Sequence, residues 1–240
     1  MSEKGDHILS RFDDELEGFR ELAARMGALA LSQLETAISA LVACDPRLAA
    51  RVLRRERRLN QYDMQGQEEG VNLLARHQPL ASDLRFIVYL SRTISDLERI
   101  GDQAKAMAAI VVQEMDRPVP PVDCEIFNDV RDLGEEAVAM LTEVLGALAR
   151  DDVGRAVAVV QQESRLDQRF QGAVRRLATF MLQDPRNIRW VIDALLGLKV
   201  LERVGDHANN IAENLIFAIT AKDVRYIQPE HLAEGYLDDT

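Results

Sequence analysis

The sequence has 240 residues, 47% of them hydrophobic, and no run of 18 apolar residues that could span a membrane. This length and apolar content suit one or two domains with a sizeable core. The 40 acidic side chains outnumber the 29 basic ones, and the net charge of −11 argues against a primary nucleic-acid binder. Cys44 and Cys124 lie far apart and encode neither a zinc knuckle nor a disulfide framework.

Both ends of the chain are charged. The first 15 residues lack the apolar core of an export signal, so we expect a cytoplasmic protein that does not insert into the membrane. Residues 228–240 carry four acids and are predicted to form a solvated tail.

Long stretches of Ala, Leu, Glu, Arg and Gln separate seven prolines, and this pattern indicates helices that end near the prolines. Asp45 before Pro46, and the pair Asp151-Asp152, are plausible helix N-caps. The sequence therefore predicts an all-α protein with helices at roughly 6–43, 46–76, 82–116, 122–150, 152–182 and 186–222.

The chain contains an internal duplication. The segment LERIGDQA at 97–104 reappears as LERVGDHA at 201–208, an offset of 104 residues. A proline-rich connector at 116–123 separates the two copies and favours extended geometry. We therefore predict two tandem repeats of three helices, residues 1–117 and 122–227, with two equivalent sites.

The repeated segment carries paired acids. In the third helix, apolar residues spaced by three and four from Phe86 to Val111 form a bundle seam, and the sixth helix repeats this pattern from Trp190 to Leu215. Acids one turn apart lie on a second face in both helices: Glu98, Asp102, Glu202 and Asp206. Such like charges repel, and a bound cation would remove the repulsion.

The second and fifth helices offer partner acids. Glu163 and Asp167 interrupt apolar lines of the fifth helix, and Glu56 and Asp63 occupy related positions in the second, where Asn60 replaces an aspartate. Each half then brings acidic side chains from two helices toward a cation. The alternative is that Glu56 and Glu163 pair with neighbouring arginines, namely Arg54, Arg55, Arg57, Arg58 and Arg165.

Gly101 and Gly205 follow the glutamates of the repeated motif by three residues. A glycine within a helix costs about 1 kcal/mol against alanine, so we expect another helix or a ligand to approach closely there. Bulk at position 205 should crowd the ion-bearing face. His207 follows Asp206, but Gln103 replaces it in the first half, which favours a histidine at the rim over a ligand.

The motif pair resembles the PhoU family, as do the run QPLASDLR at 78–85 and the opening residues His7, Phe12 and Glu15. This resemblance implies two three-helix bundles that bind metal through E/D-x-x-x-D motifs and dimerise. The motif carries over to Glu98/Asp102, Glu163/Asp167 and Glu202/Asp206, whereas Asn60 departs from it. The metal is divalent or ferric, and Mg, Mn, Ca, Fe and Zn remain open.

The resemblance also implies a function. PhoU proteins restrain the phosphate regulon and link the ATPase PstB of the phosphate transporter to the sensor kinase PhoR. We therefore expect a regulator that is not an enzyme, since the sequence offers no phosphate loop and no nucleophile–base pair. The alternatives are a metal-dependent phosphoester hydrolase with two cations and a purely structural bundle.

Overall fold

The structure is a computed structural model that describes residues 3–113, 125–225 and 227. The helices are α1 (Glu3–Val42), α2 (Pro46–His77), α3 (Ala81–Val112), α4 (Asn128–Leu148), α5 (Val153–Gln183) and α6 (Ile188–Thr220). Short 3₁₀ turns at Glu125–Phe127 and Pro185–Asn187 precede α4 and α6. Over these residues the chain has no strand, which confirms the all-α prediction. None of these helices is long and apolar enough to cross a membrane.

The predicted helix boundaries agree closely with the observed ones. The Asp45 carboxylate accepts hydrogen bonds from the backbone N–H groups of residues 47 and 48, and Asp152 caps α5 through the N–H of Arg155. Asp151 takes the left-handed conformation, with φ of 51°, and turns the chain between α4 and α5. The fourth helix begins at Asn128 and not at 122, because a 3₁₀ turn occupies 125–127.

Some predictions fall outside the described residues. These are the proline-rich connector at 116–123, Cys124 and the acidic tail at 228–240. The third helix ends at Val112, before the predicted residue 116, and Gln113 is its C-cap.

The six helices form two three-helix bundles. In the first bundle α1 packs on α2 and α3, and in the second α4 packs on α5 and α6. Contacts of α1 with α4 and of α3 with α6 join the bundles. The predicted seams are the core: Leu90, Leu97 and Ile100 of α3 have no exposed surface, nor do Leu201 and Val204 of α6.

Polar contacts also cross between the two bundles. Arg20 of α1 forms an ion pair of 2.9 Å with Asp151 at the turn before α5. Arg92 of α3 donates a hydrogen bond to the Asn214 side chain of α6, at 3.1 Å. Such directional contacts fix the orientation of the bundles more strictly than apolar packing alone.

Candidate metal-binding faces

Glycine contacts bring the acidic faces together. Gly101 of α3 is buried against Leu59 of α2, and a Cβ atom at position 101 would collide with the Leu59 side chain. Leu59 lies between Glu56 and Asp63, just as Gly101 lies between the acids of its own motif. The contact therefore sets α2 and α3 in a register that places four acids along one groove.

The second bundle repeats this contact. Gly205 of α6 is buried against Leu166 of α5, and a Cβ at 205 would collide with that leucine. The expected close approach is confirmed, and the neighbouring element is a helix in both repeats. The expectation that bulk at 205 would crowd the ion-bearing face was wrong, because Gly205 faces the core and not the groove.

In the first repeat, nearby acids affect the ionisation of Glu98. Burial raises the pKa of Glu98, and the nearby carboxylates of Asp102 and Asp63 raise it further. Glu56 contacts the ammonium group of Lys105, one turn beyond Asp102 on α3. Glu56 thus pairs with a lysine of the facing helix and not with the arginines of its own helix, which was the alternative from sequence.

The second repeat brings more acidic side chains close together than the first. Burial raises the pKa of Glu163, and the charges of Asp167, Asp206 and Glu213 add to that rise. The pKa of Asp206 is raised by burial first, and then by Glu202 and Asp167. Asp206 is therefore within electrostatic reach of the other three acids that the sequence predicted for this site, and a fifth acid, Glu213, lies near Glu163.

At the acidic face of α6, two buried oxygen atoms lack a hydrogen-bond partner. These atoms are Oε2 of Glu202 and Oδ1 of Asn209. The other carboxylate oxygen of Glu202 accepts a hydrogen bond from Lys199 at 2.5 Å, and the Asn209 amide donates to Glu213 at 3.1 Å. An unpartnered buried oxygen costs about 1–3 kcal/mol, and a cation is one partner that would satisfy it.

The side chains are near one another without converging on a point. Among the described residues, no three His, Cys, Asp or Glu side chains are arranged closely enough to hold a metal ion. Asn60 of α2 and its counterpart Asp167 of α5 are both exposed. The acids therefore lie along the helix contact of each bundle, α2 with α3 or α5 with α6, without forming a ready-made metal site among the described residues.

Several residues of these faces were missed from sequence. Lys105 and Lys199 each contact a predicted ligand, and Glu213 and Asn209 extend the second site. Their spacing was a signal. Positions 98, 102, 105 and 109 lie on one face of α3, and their counterparts at 202, 206, 209 and 213 lie on one face of α6.

His207 lies at the boundary between the bundles. Its Nδ1 atom is 2.9 Å from a carboxylate oxygen of Asp96 on α3. The side chains are 21% and 16% exposed, so this contact is half-buried. In the structure His207 therefore connects α6 with α3.

Curated proteins are similar to this chain over most of its length. The "Phosphate-specific transport system accessory protein PhoU homolog" of Pseudomonas aeruginosa is 39% identical over 92% of this chain and 90% of that protein. The "Phosphate-specific transport system accessory protein PhoU" of Escherichia coli is 34% identical over 94% of this chain and 92% of its own length.

Solved structures share the fold. The crystal structure of PhoU from Pseudomonas aeruginosa superposes with a TM-score of 0.82 at 38% identity, over 88% of this chain and 100% of that one. A phosphate transport system regulatory protein PhoU from Streptococcus pneumoniae superposes with a TM-score of 0.78 at 26% identity, over 89% and 99% of the two chains.

The PhoU domain model matches the chain twice, at residues 23–111 and 130–215. These segments lie within the two halves that the internal duplication predicts. The chain is therefore a member of the PhoU family, with two tandem PhoU domains.

Proposed function

We propose that this chain is a regulator of phosphate uptake whose carboxylate grooves hold cations and present them to partner proteins. The single observation that carries the proposal is the second groove, where Glu163, Asp167 and Asp206 lie close enough to interact and a buried oxygen of Glu202 has no hydrogen-bond partner. Buried like charges are costly unless a counter-charge joins them.

The residues of the second groove fit a hard cation. Its donors are carboxylate and amide oxygens, which suit Mg, Mn, Ca or ferric iron and also accept Zn. The ligands would be Glu163, Asp167, Glu202 and Asp206, and the unpartnered oxygen of Glu202 supports this assignment. The bound ion would supply positive charge at an exposed helical face.

The first groove would hold a cation less strongly. Glu98, Asp102 and Asp63 would supply ligands, but Glu56 is already paired with Lys105. Asn60 offers only a neutral carbonyl oxygen where α5 has a carboxylate. Glu202 of the second groove also pairs with a lysine, Lys199, but this groove keeps Asp167 and adds Glu213 as further acids. We therefore propose unequal sites, with the second repeat as the main one.

The regulatory role rests on the relatives. They are named accessory proteins of the phosphate-specific transport system, and PhoU is a non-enzymatic family, in agreement with the expectation that the chain is not an enzyme. The phosphoester hydrolase considered from sequence is not supported. The proposed partners are PstB and PhoR in the cytoplasm, with the protein acting as a homodimer that restrains the phosphate regulon.

The test removes two charges from the second groove. A Glu202→Gln/Asp206→Asn variant is expected to lose most of its bound metal in elemental analysis and to derepress a phosphate-regulon reporter. The control is Asp13→Asn/Asp14→Asn, which removes the same charge from exposed positions of α1. Full metal content and full repression in the groove variant would contradict the proposal.

A further inference from the structure

The first half of α6 exposes a face of unusual composition. Between Pro185 and Lys199 the exposed side chains are apolar or cationic, and none is acidic. This occurs in a chain with 40 acids and 29 bases. The four large apolar residues of this face are Ile188, Ile192, Leu195 and Leu196, which we call the α6 stripe.

The α6 stripe has the geometry of a helix-binding surface. Its members are spaced by four, three and one residues, so they lie within about 100° of one another around the helix. They are 45%, 47%, 38% and 49% exposed, in chain order. Stripes with this spacing are used to pack against an apolar face of another helix.

The equivalent face of the first bundle differs. At the same offset of 104 residues, Ser91 and Arg92 replace Leu195 and Leu196. Arg92 binds Asn214 of the second bundle, and Arg85 donates a hydrogen bond to the carbonyl oxygen of Ala218. The first bundle uses this face for polar contacts within the molecule, whereas the α6 stripe remains uncovered among the described residues.

The charges beside the α6 stripe define what it can bind. Arg189 lies at its edge, is exposed, and forms no ion pair with the described residues. At the ends of the stripe the cations are compensated, because Lys199 pairs with Glu202 and Arg186 pairs with Asp184. Among the described residues, Arg189 therefore provides the uncompensated charge beside the stripe. An apolar surface with such a positive charge at its edge is complementary to an apolar helix flanked by aspartate or glutamate.

We propose that the α6 stripe is the docking site for an acidic amphipathic helix of a partner protein. The helix would lie along α6 with an acid facing Arg189 and with apolar residues on Ile192 and Leu196. This inference rests on the proposed regulatory function for its partners, and it adds the surface and the chemistry of the bound segment.

A crosslinking experiment tests the occupant directly. The photoreactive residue p-benzoylphenylalanine replaces Leu196 in the full chain, and it replaces Val88, the counterpart of Ile192, in a matched control. After irradiation in cells that contain the phosphate transport proteins, adducts are mapped to residues by mass spectrometry. We expect adducts from position 196, about tenfold above those from 88, on a helix with an apolar stripe and acidic flanks.

The charge pattern gives a second test. Arg189→Glu is expected to reduce the adduct from position 196 about tenfold, and Arg189→Lys to retain it. Adducts with phospholipid, with a second copy of this chain or with a basic helix would overturn the proposal. So would equal yields at positions 88 and 196, or no adduct from 196.

A reporter separates this inference from the proposed function. Leu196→Glu is expected to abolish phosphate-regulon repression, and Leu84→Glu, at the counterpart of Ile188, to leave it intact. Circular dichroism checks that both variants remain folded, which their exposed positions favour. If the groove variant Glu202→Gln/Asp206→Asn loses repression and Leu196→Glu does not, the docking site is wrong and the function stands. If the groove variant keeps both metal and repression, the proposed function fails.

Discussion

The grooves of the two bundles are built alike but balance their charge differently. In the first, the ammonium of Lys105 contacts Glu56. In the second, Asn209 stands at the position of Lys105, and Glu213 adds a further acid. Duplication has thus preserved the helix contact that assembles the groove. The position of the lysine differs, because Lys105 pairs with Glu56 in the first groove and Lys199 pairs with Glu202 in the second.

The shared helix contact gives the largest expected effect. Gly101→Leu and Gly205→Leu should each lower the free energy of unfolding by about 1–3 kcal/mol, because the added side chain meets Leu59 or Leu166 in a packed core. Urea denaturation measures this loss. The control is Gly18→Leu, where a Cβ meets no atom within 4 Å. A variant as stable as the control would show that the contact does not set the helix spacing.

Exchange of Lys105 and Asn209 between the two grooves should change the Mn²⁺ affinity of each groove. Asn209→Lys is expected to weaken Mn²⁺ binding to the second groove about 10- to 100-fold, because an ammonium group would occupy the site. Lys105→Asn should strengthen Mn²⁺ binding to the first groove, because it removes an ammonium group from that site. Isothermal titration measures both affinities. Unchanged Mn²⁺ affinity in both variants would show that the lysine does not account for the difference between the repeats.

The pH dependence should be stronger for the second groove. The raised pKa of Glu163 means that its ionised form is disfavoured in the folded state. In metal-free protein this cost is present at neutral pH and is relieved as the pH falls through the raised pKa toward the ordinary value near 4.5. Relative to Glu163→Gln, the parent protein should therefore gain stability as the pH falls from neutral toward 4.5.

Urea denaturation in EDTA at a series of pH values measures this difference. The opposite trend, with the parent losing stability relative to Glu163→Gln as the pH falls, would mean that this carboxylate is favourably paired.

The contact between the bundles should give the smallest effect. His207→Gln, which installs the residue found at position 103, is expected to cost about 0.5–1 kcal/mol of unfolding free energy through loss of the Asp96 contact. Asp96→Asn should cost a similar amount, and the double variant should cost less than the sum. Additive losses would show that the two side chains do not interact.

Much of the fold could be predicted because the signals are local. Prolines and capping aspartates mark helix ends, and the spacing of residues such as Leu97 and Val204 marks the buried seams. The duplicated motif located Glu98, Asp102, Glu202 and Asp206. The 3₁₀ turn before α4 was missed, because it has no strong local signal.

The parts of the site that escaped prediction depend on contacts between helices. Lys105 meets Glu56 across 49 residues of sequence, and His207 meets Asp96 across 111. The spacing pattern within one helix does not show which side chains of two packed helices face each other. The role of Gly205 was misjudged for the same reason, since its neighbour Leu166 belongs to another helix.

Anomalous diffraction from crystals soaked in Mn²⁺ tests the central claim most directly. The account predicts a strong anomalous peak in the second groove, within ligand distance of Glu163, Glu202 and Asp206, and a weaker peak or none beside Lys105. Water alone in the second groove, with the carboxylates turned toward solvent, would contradict it.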